Sequence, residues 1–236
     1  MSVRIKGFLE TSFLDWPGKV SAVLFLPGCN FRCPFCHNHE LWTEPEKLED
    51  IPLQYILERM GTFRDWIDGV CITGGEPTLQ GGLRDLILEL RGLGLGIKLD
   101  TNGSHPEVLE ELIEEGLLDF VAMDVKAPLD PFRYQRAAGV SVDLGSIRRS
   151  IEILEEGKVD YVFRITVVPG LHTEGDIMEL ASELRGSKGL LLQNFNPQNA
   201  YDPALRSRRP YPEEWLRELQ QAVNEIIAPA GLTQVA

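Results

Sequence analysis

"VSAVLFLPGCNFRCPFCHNHE", residues 20–40, joins a strand to a chemical loop. Residues 20–26 are almost continuously apolar, as in a parallel strand covered on both faces. The run breaks at Pro27-Gly28. The next eight residues then hold three of the chain's four cysteines, Cys29, Cys33 and Cys36, spaced C-x3-C-x2-C. The same pattern of apolar run followed by unusual strand end recurs along the chain. Further runs are "GVCIT" (69–73), "GIKLD" (96–100), "DFVAMDV" (119–125), "DYVFRITVV" (160–168) and "GLLLQNF" (189–195). Between most of them lie segments with apolar residues at i, i+3 and i+4, such as "GLRDLILELRGL" and "PEVLEELIEEGL". Several of these end at glycine, as helices often do.

Alternating strand and helix predicts a parallel sheet with helices over its faces. Val20 to Gly189 is 169 residues over five strand-to-strand steps, about 34 each, which fits a βαβ unit. Only 41 residues follow Phe195, and they hold one amphipathic helix, about 210–229. Two further strand–helix units need roughly 60 residues or more. The expected fold is therefore an α/β, incomplete (β/α)6 TIM-like barrel, laterally open. It forms a single domain over 1–236 with its core at about 20–195.

Composition narrows the function classes. Of 236 residues, 43% are hydrophobic, and 36 acidic against 23 basic residues give a net charge of -13. That charge argues against general nucleic-acid binding, which depends on phosphate neutralisation; its plain reading is solubility. No run approaches the roughly 18 apolar residues of a membrane span. The start "MSVRIKGFLE" lacks the apolar stretch of a secretory signal, and three clustered cysteines plus one do not form a secreted disulfide framework. The expectation is a cytoplasmic protein.

Each unusual stretch sits at a strand end, where a parallel α/β protein builds its site. Three thiolates can ligate three irons of a [4Fe–4S] cluster that normally takes four cysteines, leaving one iron open. Cys71, between Val70 and Ile72, reads as a small core residue. The alternative is zinc, with His37 and His39 completing a mixed site. Zinc sites usually draw ligands from two separated places, and here one loop supplies all of them. In "TGGEP" (73–77), Gly74 and Gly75 let backbone approach a ligand, and Glu76 offers a carboxylate to an ammonium group; a plain turn is the alternative. Asp100 and Asp124 end adjacent strands and would repel unless a cation or a ligand's charge lay between them. Helix caps or surface pairs are the simpler reading. Lys126 and Arg164 bring positive charge to the same face, and an arginine inside a strand needs an anion partner.

Beside these residues stands a resemblance. "CNFRCPFC" resembles the CxxxCxΦC motif of radical S-adenosylmethionine enzymes, with Phe35 at Φ, and "GGEP" resembles their methionine-binding motif. The likeness covers residues 8 to about 195. "LDWPGKVSAVLFLPGCNFRCPFCHN", with "DTNG" and "DVKAP", is similar to the activating enzymes of glycyl radical enzymes, closest to the anaerobic ribonucleoside-triphosphate reductase activating proteins of the pyruvate formate-lyase activase type. The resemblance implies that S-adenosylmethionine chelates the open iron of a [4Fe–4S] cluster. One electron then yields a 5′-deoxyadenosyl radical, which takes hydrogen from a partner's glycine. It places Cys29, Cys33 and Cys36 on iron, and Gly74, Gly75 and Glu76 on the methionine amine. Phe35 and the backbone at His37 flank adenine, and Lys126 and Arg164 meet ribose or carboxylate. A monovalent cation, Na+ or K+, would lie on Asp100, Asp124 and the carbonyls of Thr101 and Ala122.

Two departures stand out. The family's strand-six "PYH" is "QNF" here, which removes a ribose contact. No spare cysteines serve an inserted ferredoxin-like domain, so an external flavodoxin or ferredoxin would supply the electron. The partner implied is an anaerobic ribonucleotide reductase or a related glycyl radical enzyme. Alternatives are a radical enzyme acting on a small molecule or peptide, and a zinc-binding interaction domain.

Overall fold

A computed structural model describes residues 3–227. Its sheet has seven strands in chain order: β1 Gly7–Ser12, β2 Ser21–Leu26, β3 Gly69–Gly74, β4 Gly96–Thr101, β5 Phe120–Asp124, β6 Asp160–Val167 and β7 Leu190–Asn194. Strands β2 to β7 are parallel and match the six apolar runs. Around them lie α1 Glu40–Thr43, α2 Leu53–Gly61, α3 Leu83–Arg91, α4 Pro106–Glu114, α5 Pro131–Ala138, α6 Leu144–Glu155, α7 Glu174–Glu183 and α8 Glu213–Ile227. The sheet is not closed, because β1 and β7 do not pair. This is the incomplete, open α/β barrel expected. Residues 228–229 of the expected last helix lie outside the described residues.

The one-turn helix α1, strand β1 and helix α5 escaped the sequence reading. Strand β1 adds a seventh, antiparallel strand on β2. Its residues "GFLETS" are half-exposed at the sheet edge and show no continuous apolar run. The turn after it drives Trp16, 2% exposed, beneath the barrel: a Cβ on Gly69 would stand 2.6 Å from its ring. Trp16 thus plugs the end opposite the cysteine loop. Helix α5 was also missed, because its buried face is only Tyr134, Ala137 and Ala138. Asp130 caps it by accepting from the Arg133 amide. Its end docks on the cysteine loop, where the Arg32 amide donates to the Ala138 carbonyl at 2.8 Å.

Helix α8 buries Leu216, Leu219, Val223 and Ile227, each contributing about 1.5–3 kcal/mol by leaving water. Among the described residues, no helix is long and apolar enough to cross a membrane.

Register decides what meets at the top. Asp124 lies beside Arg164, Asp100 beside Ala122, and Cys71 beside Lys98. Side chains alternate along a strand, so Lys98 and Asp100 share a face. The loop after β7 also reaches across to the cysteine loop. The Tyr201 amide donates to the Cys36 carbonyl at 3.1 Å, and the Asp202 amide to the Pro34 carbonyl at 2.8 Å. The open side is therefore spanned at this end by loop, not by strand.

Candidate functional site

A cavity of about 400 Å3 opens at the carboxyl ends of the parallel strands. Every residue singled out above for the cluster and cofactor lines it except Ala122, which is fully buried in β5; of the two histidines considered for zinc, His37 lines it and His39 does not. Cys29, Cys33 and Cys36 lie on its wall and Cys71 does not; Cys71 is a fully buried core residue of β3. The cysteine loop is held by its own backbone. Arg32 Nη1 donates to the Cys29 and Phe31 carbonyls at 2.6 and 2.7 Å, and its guanidinium lies 4.4 Å from the centre of the Trp42 ring. Phe35 packs edge-on to His172 at 6.3 Å. His172 Nδ1 accepts from the Val168 amide, so its Nε2 donates to the Lys126 carbonyl at 2.8 Å. Burial keeps this ring below the ordinary histidine pKa and therefore neutral.

The two glycines also serve packing. A Cβ on Gly75 would stand 1.8 Å from the Gly28 carbonyl oxygen, and Gly74 has φ 120°. Their backbone packs against the start of the cysteine loop. The Gly75 and Glu76 amides donate to the Leu26 and Gly28 carbonyls at 2.9 and 2.7 Å. Glycine is thus required by backbone against backbone.

Glu76 is also committed to protein. Its Oε1 accepts from the Thr78 amide (3.1 Å), Thr78 Oγ1 (2.6 Å) and Thr101 Oγ1 (2.7 Å), and its Oε2 from the Asn102 amide (2.6 Å). Oε2 alone has an acceptor position left. Burial pushes this carboxyl above the usual range, against the pull of its donors. Asn102 also reaches the cysteine loop, donating to Asn30 Oδ1 at 2.9 Å.

The two aspartates are not left to repel. Arg164 lies between them, with Nη2 3.1 Å from Asp100 Oδ2 and Nε 2.9 Å from Asp124 Oδ1. Lys98 Nζ meets Asp100 Oδ1, and Lys126 Nζ lies 3.3 Å from Asp124 Oδ2. The series runs Lys98, Asp100, Arg164, Asp124, Lys126, alternating in sign. It supplies the anion partner that a strand-interior arginine requires. Burial alone would raise Asp124, but Arg164 and Lys126 outweigh it and hold the carboxyl at about 2. Burial would likewise lower Lys126, and Asp124 holds it above its ordinary value.

The donor set suits a polynuclear cluster. Among the described residues, no three His, Cys, Asp or Glu side chains converge on a single metal ion. Zinc needs four ligands at roughly 2.0–2.3 Å. His37 Nε2 is instead 2.5 Å from the Asn196 carbonyl oxygen, and His39 packs against Tyr201. Burial pushes the Cys29 thiol to about 11 and Cys33 to about 12, outweighing the pull of nearby Lys126. Among the described residues five buried side-chain polar atoms have no partner, and one of them, Asn194 Oδ1, belongs to a residue of the cavity wall. Buried groups of this kind are normally paired. Three sulfurs and an unmet polar atom on one cavity fit a cluster and a polar ligand.

The implied monovalent cation fits poorly. Each oxygen of Asp100 and Asp124 already faces a nitrogen.

Sequence reasoning missed Lys98, Asn102, Tyr134 and His172. Asn102 lay in plain view in "DTNG". A lysine at i−2 from a strand-end aspartate was the available signal for Lys98.

Comparison with known proteins agrees with this geometry. Residues 23–184 match the radical SAM superfamily, which implies a [4Fe–4S] cluster and S-adenosylmethionine. A Methanocaldococcus jannaschii protein, provisionally named a glycyl-radical enzyme activating enzyme, is 36% identical over 236 residues, covering 96% of this chain and 94% of that protein. Escherichia coli pyruvate formate-lyase 1-activating enzyme is 29% identical over 197 residues, 79% of this chain and 76% of the relative. Streptococcus suis SuiB bound to S-adenosylmethionine shares the fold, with TM-score 0.62 at 19% identity over 86% of this chain. The chain spans about half of SuiB, 48% of its length. TYW1 with a lysine-pyruvate adduct gives TM-score 0.61 at 17% identity, covering 87% of this chain and 73% of TYW1. The chain therefore belongs to the radical S-adenosylmethionine superfamily, as an enzyme grouped with its glycyl-radical activating enzymes.

Proposed function

We propose that this enzyme installs a glycyl radical on an anaerobic ribonucleotide reductase or a related glycyl radical enzyme. The observation that carries the proposal is the set of three cysteine sulfurs on one polar cavity, with the fourth cysteine elsewhere in the core. When bound, a [4Fe–4S] cluster and S-adenosylmethionine supply a one-electron cleavage that gives a 5′-deoxyadenosyl radical.

The chain's own residues bind and orient. Cys29, Cys33 and Cys36 hold iron. Glu76 Oε2 accepts from the methionine ammonium beside the Gly74–Gly75 backbone. Phe35 and His37 border adenine. Lys126 keeps two donors beyond its Asp124 contact for the methionine carboxylate. Gln193 and Asn194, both on the cavity wall, replace the family's ribose contact; the unpartnered Asn194 Oδ1 is an acceptor for a ribose hydroxyl. A partner's glycine must come within roughly 3–4 Å of the reacting carbon, so a loop has to enter bodily. The setting is the cytoplasm, whose reducing conditions keep clustered thiols free. Residues 1–236 act as one domain, and the electron comes from a flavodoxin or ferredoxin.

The test is electron paramagnetic resonance of the reconstituted enzyme mixed with a candidate partner, reductant and S-adenosylmethionine under anaerobiosis. A doublet that collapses when the partner's glycines are deuterated supports the proposal. No doublet with any co-encoded glycyl radical enzyme, alongside steady deoxyadenosine formation on a small molecule or peptide, overturns it.

A further inference from the structure

The misfit of the implied cation has a specific cause. Lys98 is 1% exposed, a buried charge in mid-barrel. It stands two residues before Asp100 on the same face of β4, and its Nζ meets Asp100 Oδ1, with Cys71 Sγ 3.6 Å away. A buried lysine needs a fixed anion, and Asp100 is that anion. Arg164 takes the other oxygen of Asp100, and Arg164 and Lys126 take both oxygens of Asp124. At this level two carboxylates, Asp100 and Asp124, meet three cations, Lys98, Lys126 and Arg164. A free Na+ or K+ would enter against three fixed positive groups and find no carboxylate oxygen without a partner.

We propose that Lys98 is the built-in counterpart of that cation. It is a positioning residue whose ammonium holds Asp100 in place, so the site takes up its cofactor without Na+ or K+. This rests on the cofactor site proposed above. The arrangement makes a distinctive demand. Removing the ammonium while keeping the carboxylates reopens a negative hollow of the size the ammonium filled. That hollow should then accept a small monovalent cation.

Two measurements test this on the full-length chain at constant ionic strength. The salts are potassium, sodium or tetramethylammonium chloride, the last too large to enter. In the first, the S-adenosylmethionine Kd of the reconstituted enzyme is measured in each salt. The wild type should vary less than about twofold. Lys98→Met should bind at least about tenfold more weakly in tetramethylammonium and recover in potassium or sodium. In the second, the melting temperature of the cluster-free protein is followed as potassium or sodium replaces tetramethylammonium. It should rise for Lys98→Met and stay level for wild type, since a ligand of the native state stabilises it.

A wild-type Kd that tightens tenfold with potassium or sodium overturns the proposal. So does a folded Lys98→Met that ignores all three salts in the melt. If Lys98→Met does not fold, the wild-type cation response decides alone. Absence of any S-adenosylmethionine binding in wild type would sink the functional proposal instead, and the melting comparison would still decide Lys98.

Discussion

Glu76→Gln tests whether the buried carboxylate braces the site. The substitution changes one oxygen to NH2 and keeps shape. The remaining amide oxygen can keep the three donors of Oε1, from Thr78 and Thr101. The NH2 then faces the Asn102 amide, a donor 2.6 Å from the original oxygen. Three bonds fall from charged to neutral strength, a loss of about 1 kcal/mol each. One buried N–H loses its acceptor, about 1–3 kcal/mol. The smaller cost of burying a neutral amide offsets part of this, leaving a net loss of about 2–4 kcal/mol. For a chain of this size, that corresponds to a melting temperature lower by about 4–16 °C. The assay is thermal unfolding followed by circular dichroism at pH 7. A fall under about 2 °C would refute the bracing role.

A pH series adds a sign. Burial raises the folded pKa of Glu76. The native state therefore holds its proton longer than the unfolded chain, and this group's contribution to stability falls as pH rises from about 4 upward. Glutamine lacks that term, so the gap between wild type and variant should narrow as pH rises. A gap that widens would show that the hydrogen bonds, not burial, control the group.

Further outcomes follow from the same geometry. Cys29→Ala, Cys33→Ala and Cys36→Ala should each lose cluster iron after anaerobic reconstitution while Cys71→Ala retains about four irons, read by iron assay and the cluster's visible absorption; full loss in Cys71→Ala would end the three-ligand reading. Gly75→Ala should prevent cluster assembly because its methyl would overlap the Gly28 carbonyl, whereas Gly81→Ala, with open space around it, should not; visible absorption after reconstitution separates them. Arg164→Met should cost about 3–5 kcal/mol in urea unfolding, since it leaves two partly buried aspartates short of a cation. In that variant the Asp124 carboxyl should rise from about 2 toward the ordinary range, read by NMR titration.

Much of this protein was legible in its sequence because the signals are local. Apolar runs mark the six parallel strands, since a strand covered on both faces cannot carry many polar residues. The described sheet runs from β1 to β7 without closing on itself. Cysteine spacing is a property of one short loop, and all three thiols do line the cavity. Some elements lacked that local signal: α1 is a single turn, β1 lies half-exposed at the edge, and α5 buries only small side chains and one tyrosine.

The partners of the polar groups were a different matter, because they depend on register between strands far apart in the chain. Glu76 reads as a free carboxylate until Thr101 and Asn102 arrive from β4 and the loop after it. That the glycines of "TGGEP" also pack against the Leu26–Gly28 backbone shows only once β2 is laid beside them. Asp100 and Asp124 read as a pair short of a cation until Arg164, forty residues beyond Asp124, is placed between them with Lys98 on Asp100. A sequence states which charges exist; only the packed barrel, where water is excluded and each charge must find a fixed opposite, decides which of them are already neutralised.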